Sequence, residues 1–499
     1  MARVILDGLW LLLVLVVTGA GMWLSSSLAA YLNGPVWLAA GLGVLSFPVL
    51  PLLWEARAAM KRARHRSPRA PFFTVWDRVV LRTLAVNLLI VCVLLARWPT
   101  VAFAALATRG DWFLEGRHSQ EARAARVVLF RTAGGLEWLY RATHHNPNDA
   151  YLARTKTPEG EPSPEPVPVP IADTAARPSR PSVDGGASPT PPVDVAADAP
   201  DTPQRIADGT PVWPLPAEIH AAVASLPASA ESSIASVARY IVQQEPDPWM
   251  RVKALHDYVA DRVSYDVEAY RSKTYPPQDA ETVFRTRRSV CAGYANLLAA
   301  MGTAAGDEIV VVGGDSRTNG RELTGEGHAW NAARIGGRWT LLDATWDAGA
   351  VTEGRFVKRY STEFLFTPPE IQGLSHFPDE DRWQLRHPTL SRGEFLRQPL
   401  MRPRFYAEGF TLVSPDRPQV TVDRVLEASL RNPRHRYVMA RYEKRDGGVR
   451  ADCDVEQGPS VSVRCALPDE GTYRVVLLSN REEYGTYQWI GEIEALRGR

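Results

Sequence analysis

Three long apolar runs crowd the first hundred residues and set the first constraint on how this chain folds. They are VILDGLWLLLVLVVTGAGMWL (4–24), PVWLAAGLGVLSFPVLPLLW (35–54) and VVLRTLAVNLLIVCVLLARW (79–98). A helix needs about 20 apolar residues to cross the hydrocarbon core of a bilayer, and each run reaches that length. Asp7 and Arg82 lie near run ends, where charged groups reach the interface, and Asn87 is the polar residue inside the third run. The expectation is three transmembrane helices within 1–107, in a multi-pass protein of the cell membrane. The rival reading of the first run is a cleaved signal peptide ending near SSSLAA. Its basic region is thin, with Arg3 alone before Asp7.

The loops orient the spans. Arg57, Lys61, Arg62, Arg64, Arg66, Arg69 and Arg78 stand between the second and third runs, whereas AAYLNG between the first and second has no basic residue. The positive-inside rule puts the basic loop in the cytoplasm and everything after about Ala107 outside it. Two spans and an amphipathic hairpin would reverse the far end.

Residues 108–153 read as a juxtamembrane amphipathic helical segment. QEARAARVVLFRTAGGLEWLYRAT mixes arginines with large apolar residues, which suits a membrane surface or the membrane helices equally. His144 and His145 would point about 100° apart on a helix, a poor metal pair and a good solvated one. From 154 to 214 the composition turns to Pro, Ala, Ser and acid, as in TPEGEPSPEPVPVP. Such a stretch buries too little to offset its ordering entropy and reads as a disordered linker. Fully extended it reaches on the order of 190 Å, so the next module is expected to be tethered rather than docked.

Composition narrows the rest. The net charge of +1 gives no basic field for a nucleic-acid partner. There is no Gly-rich phosphate loop and no zinc-type cysteine pair. The cysteines are four, Cys92, Cys291, Cys453 and Cys465, too few for a disulfide scaffold, so each is read by its position.

Cys291 stands in RRSVCAGYANLL. The spacing predicts a helix from Cys291 to about Ala304, followed by Gly306, and a preceding helix opened by Asp247 and Pro248. Free N–H groups and the dipole of a first helical turn favour a thiolate and can bind an oxyanion. A thiol also needs a base, and the base needs a partner to orient it. Downstream, HAWNAARI and RWTLLDATW read as strands joined at Gly336–Gly337. A two-residue turn there carries His328 opposite Thr345, with Asp343 as its diagonal neighbour on the same face.

CAGYANLL, HAWN and WTLLDATWD resemble the transglutaminase-like core of the papain-type cysteine enzymes. The flanks RVKALHDYVADRVSYDVEAY and YSTEFLFTPPEIQGLSHFPDEDRWQL resemble its kyphoscoliosis-peptidase-like branch. The resemblance implies an α+β core over 215–385 with Cys291 as nucleophile, His328 as general base and Asp343 as its orienter. Tyr294 would pack behind the nucleophile helix, and Trp330 and Asn331 would support the histidine strand. Gln278 and Tyr265 are open candidates for a second oxyanion donor beside the Cys291 N–H. No metal or cofactor is implied, and the substrate is a peptide or protein amide. Water or an amine could resolve the thioester, and hydrolysis is preferred because water is always present. The alternative is a non-catalytic binding or scaffold module of the cell envelope.

Residues 386–499 read as a β-rich domain, with runs such as QVTVDRV and GTYRVVLLSN between turn residues. Cys453 and Cys465 flank DVEQGPSVSVR, and a hairpin about Pro459 would set them opposite each other. Outside the cytoplasm the pair can form a disulfide, and two unpaired, half-buried thiols are the alternative. Cys92, in the third apolar run, is expected to be inert.

Overall fold

The computed structural model describes residues 2–32, 34, 36–44, 49–64, 74–117, 119–144, 146–152, 209–318 and 326–498. Most of the Pro-rich stretch, His145 and the loop residues 319–325 therefore lie outside the described residues.

The chain opens with α1 (Ala2–Tyr31), α2 (Val36–Val44), α3 (Leu50–Arg64), α4 (Val75–Arg97) and α5 (Pro99–Arg109). Two stretches among the described residues are long and apolar enough to cross a membrane, Gly8–Tyr31 and Asp77–Arg97. The second apolar run is divided between α2 and α3, with 45–48 outside the described residues. Thr74 and Asp77 open α4 with a reciprocal capping box. Pro99 has no N–H to continue that ladder, so α5 starts afresh. It is buried from Ala102 to Arg109. The indole of Trp23 donates to Gly110 O at 2.7 Å and ties α1 to its end.

The soluble module is docked on this region, against the expectation of a free tether. Phe103, Ala104 and Ala107 share one apolar cluster with Tyr140, Phe377, Phe395 and Leu396. Asp111 takes Arg126 at 2.9 Å and Arg417 at 3.0 Å. The amphipathic segment forms α6 (Gln120–Gly134) and α7 (Glu137–Thr143), and its polar groups find partners on the module itself. His144 is part-exposed but engaged: its Nε2 lies 2.9 Å from Asp315 Oδ1, and its ring stacks on Tyr140. The described chain leaves the module at Leu152 and rejoins it at Gly209. Thr210 accepts from Arg338 there, and the Trp213 indole donates to Glu363 O. Leu152 and Gly209, the described residues on either side of this gap, thus sit on one body.

The core module contains α8 (Ala221–Ala224), α9 (Ile234–Gln244), α10 (Pro248–Arg262), α11 (Val267–Ser272), α12 (Ala280–Thr286), α13 (Cys291–Ala305) and α14 (Ala344–Ala348). Its strands are β1 (Ser264–Tyr265), β2 (Arg288–Ser289), β3 (Glu308–Ser316), β4 (Glu326–Ile335), β5 (Arg338–Leu342), β6 (Gly349–Thr352), β7 (Arg355–Lys358), β8 (Leu365–Thr367) and β9 (His376–Pro378). Asp247 caps α10 at the Met250 N–H, with Pro248 next, and Gly306 ends α13 at φ +80°. α13 is apolar nearly all round because it runs through the core, packed against α9, α10 and the sheet residues Ile309, Ala333 and Ile335. The sheet is antiparallel, in the order β8-β5-β4-β3-β9. Val310, Val312, Trp330 and Leu341 build a second layer with Trp383 and Leu385.

Gly336 and Gly337 adopt φ of +59° and +80°, the left-handed pair a two-residue hairpin needs. The register follows, with Ile335 opposite Arg338 and Asn331 opposite Leu342. β5 ends at Leu342, four residues short of the strand expected to Trp346. Asp343 instead caps α14, its Oδ1 accepting from the N–H groups of Thr345 and Trp346. A capping carboxylate satisfies two free helix amides, which a ladder position would not.

Beyond the core, Arg392–Arg397 and Pro403–Ala407 are short helices, and strands begin at Thr411. A four-stranded and a five-stranded sheet enclose one apolar core. Strand Asp454–Glu456 pairs with Ser460–Ala466, Asp454 opposite Arg464. Cys453 and Cys465 are next in that register and are joined by a disulfide.

Candidate active site

α13 starts at Cys291 because Val290 is extended, with φ −92° and ψ −176°. No side chain caps this N-terminus, so the amides of its first turn have no side-chain partner. The thiol side is packed against Ala295, Ala329, Val311 and Leu152. Leu152 belongs to the segment after α7, outside the core module, and packs here, which the sequence reading missed.

His328 sits on β4 with Nε2 2.7 Å from Asp343 Oδ2. That leaves Nδ1 as the ring nitrogen for the thiol. Burial alone would lower the His328 pKa. The Asp343 carboxylate outweighs it, Cys291 adds a hydrogen bond, and the value rises to about 10. Burial likewise disfavours the Asp343 carboxylate, but His328 and a second histidine hold its pKa well below the usual range.

That second histidine is His376 on β9. Its Nε2 lies 3.1 Å from the same Asp343 oxygen, and its Nδ1 lies 2.9 Å from Ser375 Oγ. Burial drives its pKa down to about 4 against the pull of Asp343, and the His328 charge adds to the fall. Asp343 thus faces one imidazole held protonated and one held neutral. Trp330 stacks on His328 and meets His376 edge-on, while Trp346 and Phe364 close the other sides. His328, Asp343 and His376 bring their ligand atoms within 4.8 Å of one another, a spacing that could also hold a cation. Here the shared oxygen is already engaged by both rings, so the trio is satisfied by hydrogen bonds.

The supporting residues tie these elements together. Tyr294 donates to Val263 O at 2.8 Å, fixing α13 to the end of α10. The Asn331 amide donates to Ala295 O and Val310 O at 3.0 and 3.1 Å, holding β4 to α13 and β3. Gln278 spends its amide on the loop before the cysteine: Oε1 accepts from the Val290 N–H and Nε2 donates to Pro276 O. Tyr265 lies beside Cys291, and burial with the neighbouring thiol raises its pKa, keeping the phenol protonated. Farther back, His256 bridges Asp257 and Asp347 at 3.2 and 3.3 Å and clamps α10 to α14. This is a structural role.

The structure thus brings together a cysteine at an uncapped helix start, a histidine on a strand and an aspartate beyond a hairpin. The sequence profile of the transglutaminase-like superfamily matches residues 235–344, which hold all three, and this part of the chain belongs to that superfamily. Kyphoscoliosis peptidase of Mus musculus is 33% identical over 183 residues, 35% of this chain and 28% of the relative. The Homo sapiens kyphoscoliosis peptidase is 31% identical over the same shares. The chain thus spans about 28% of the length of these curated relatives. A solved structure titled "Crystal structure of a TGase" is 21% identical over 28% of this chain and 37% of that one, with a TM-score of 0.21.

Proposed function

We propose that this chain is a membrane-anchored cysteine acyl-transfer enzyme acting on amide bonds of peptides or proteins. The observation that carries the reading is the 2.7 Å pairing of His328 with Asp343, together with Cys291 at an uncapped helix N-terminus. The Cys291 thiolate, its proton already on His328, attacks the amide carbonyl, and the carbon–nitrogen bond breaks as His328 gives that proton to the leaving amine. A thioester remains on Cys291. The Cys291 N–H stabilises the oxyanion, and the Tyr265 phenol, held protonated beside the thiol, is the second donor. Asp343 keeps the His328 ring oriented and its charge stabilised. Water resolves the thioester in a peptidase or amidase and an amine in a crosslinking enzyme; hydrolysis is the reading preferred here.

The two long apolar helices support a membrane anchor, and with the divided second run also crossing, the arginine-rich stretch faces the cytoplasm and the catalytic module lies outside it. The Cys453–Cys465 disulfide suits an oxidising compartment. The burial of Cys291 against Leu152 favours the other reading, a non-catalytic binding module. One experiment separates the two. The full-length protein in detergent is labelled with iodoacetamide and tested on a panel of peptide amides with and without an added amine. Fast labelling at Cys291, with amide turnover lost in Cys291→Ala, supports the enzyme. An inert Cys291, or full turnover in that variant, overturns it.

A further inference from the structure

A bowl of about 660 Å³, lined in part by Tyr265 and by Arg288 three residues before Cys291, is not used by the triad. Its position follows from topology. β1 pairs in parallel with β2, Tyr265 opposite Ser289, and α13 begins at Cys291 two residues later. The bowl is lined from this pair, from α11 and from the β6–β7 hairpin. One side is apolar, with the rings of Tyr265 and Phe356 at 6.3 Å. The rest carries the guanidinium groups of Arg271, Arg288 and Arg355 against the one carboxylate of Glu268.

The three arginines differ in what they already hold. Arg288 reaches Asp266 at 2.7 Å and Glu268 at 3.5 Å, so part of its charge is met. Among the described residues, Arg271 and Arg355 form no ion pair. Arg271 lies over the backbone of Gly354, where a Cβ would sit 3.0 Å from its guanidinium. Gly354 has φ +76°, so both the turn and the seat of Arg271 favour glycine there. A planar fork held against backbone is arranged to take a carboxylate through paired N–H···O bonds.

We propose that this bowl is a carboxylate subsite and that the acyl substrates are acidic peptides. The proposal rests on the reading of Cys291 as an acyl-transfer nucleophile. The carboxylate can come from an acidic side chain near the scissile amide or from a free peptide C-terminus. Tyr265, shared by the bowl and the cysteine, sets the distance between the anionic group and the reacting carbonyl.

The test uses the full-length protein and a matched set of peptide amides: one with Glu beside the scissile bond, one with Gln there, and the Gln peptide with either a free or an amidated C-terminus. A tenfold or greater kcat/KM advantage is expected for the carboxylate-bearing member. Which member shows it identifies the source. In the Arg271→Ala/Arg355→Ala double variant the ratio should fall to about one, and 0.5 M salt should shrink it in the wild type. An unchanged ratio in the double variant overturns the subsite. If no peptide is turned over by the wild type, the enzyme reading fails separately. Fluorescence anisotropy of the labelled acidic peptide on Cys291→Ala then decides the subsite: weaker binding by tenfold or more on adding the two arginine changes supports it, and equal binding ends it.

Discussion

His328 and His376 meet on a single carboxylate oxygen, their Nε2 atoms 2.7 and 3.1 Å from Asp343 Oδ2. The other oxygen of Asp343 takes the amides of Thr345 and Trp346. The carboxylate is therefore held from four directions and cannot rotate away from the His328 imidazole. His376 touches neither thiol nor substrate in the proposed mechanism, which makes it a positioning residue. In His376→Phe the ring shape is kept and the N–H is lost. We expect kcat to fall about tenfold, near 1.4 kcal/mol, with KM little changed. His376→Gln, which can still donate to Asp343, should recover part of the loss. Wild-type kcat in His376→Phe would leave His376 with packing alone.

The same pair sets a pH dependence. His328 is held protonated to about 10, so the alkaline limb of kcat/KM should lie near that value. Asp343→Asn should pull the limb down toward 6.5, the ordinary histidine value. Stability follows with a defined sign. Below about 6.5 both folded and unfolded chains protonate His328, and the ion pair contributes in full. Between 6.5 and 10 only the folded chain keeps the proton, so the contribution falls as pH rises. His376, held near 4, acts in the opposite direction, and its contribution is lost as pH falls from 6.5 toward 4. Melting temperatures of wild type and His328→Gln, compared across this range, should converge toward pH 10. A constant gap would mean His328 is not held charged.

The strap from Asn146 to Leu152 should also matter. The Asn146 side chain donates to Gly314 O at 2.9 Å and to His328 O at 3.0 Å. β4 leaves room for it at Gly327, where a Cβ would meet Pro147 at 2.4 Å and Asn146 at 2.5 Å. Asn146→Ala leaves two carbonyls without this donor and should cost about 1–3 kcal/mol. Gly327→Val should lift the strap and its Leu152 from Cys291. Both variants should label faster with iodoacetamide at Cys291. Unchanged labelling in both would mean the strap does not cover the thiol.

These contrasts show which parts of the site are legible locally. The α13 start, the Gly336–Gly337 turn and the β4–β5 register follow from adjacent residues, and they bring His328 and Asp343 together. That Asp343 caps α14 instead of extending β5 is a competition between two local hydrogen-bonding modes, which alternation alone does not resolve. His376 reaches the site through β9 pairing on β3 and β3 pairing on β4. No spacing along the chain encodes that path. The strap is hidden for another reason: its Asn146 and Asn148 amides bind main-chain carbonyls, which any sequence could offer. A segment mixing arginine with aromatic residues reads alike for a lipid surface and for a protein one.

The disulfide offers a test of both fold and orientation. Cys465 lies in the core of the C-terminal β domain, and the strand register sets Cys453 opposite it. The bond closes a short loop, with a sequence separation of 12. Chain entropy then assigns it about 3 kcal/mol. Cys453→Ser should lower the melting temperature of this domain while leaving that of the catalytic core, which has its own apolar cluster, nearly unchanged. Denatured but unreduced protein should titrate two thiols, Cys92 and Cys291, and four after reduction. Protein taken from membranes with its thiols trapped by alkylation at lysis makes the titration a measure of compartment. Four thiols without reductant would mean that the domain resides where glutathione keeps cysteines reduced. The basic loop would then have to face the other way, and the outward orientation of the catalytic module would fall with it.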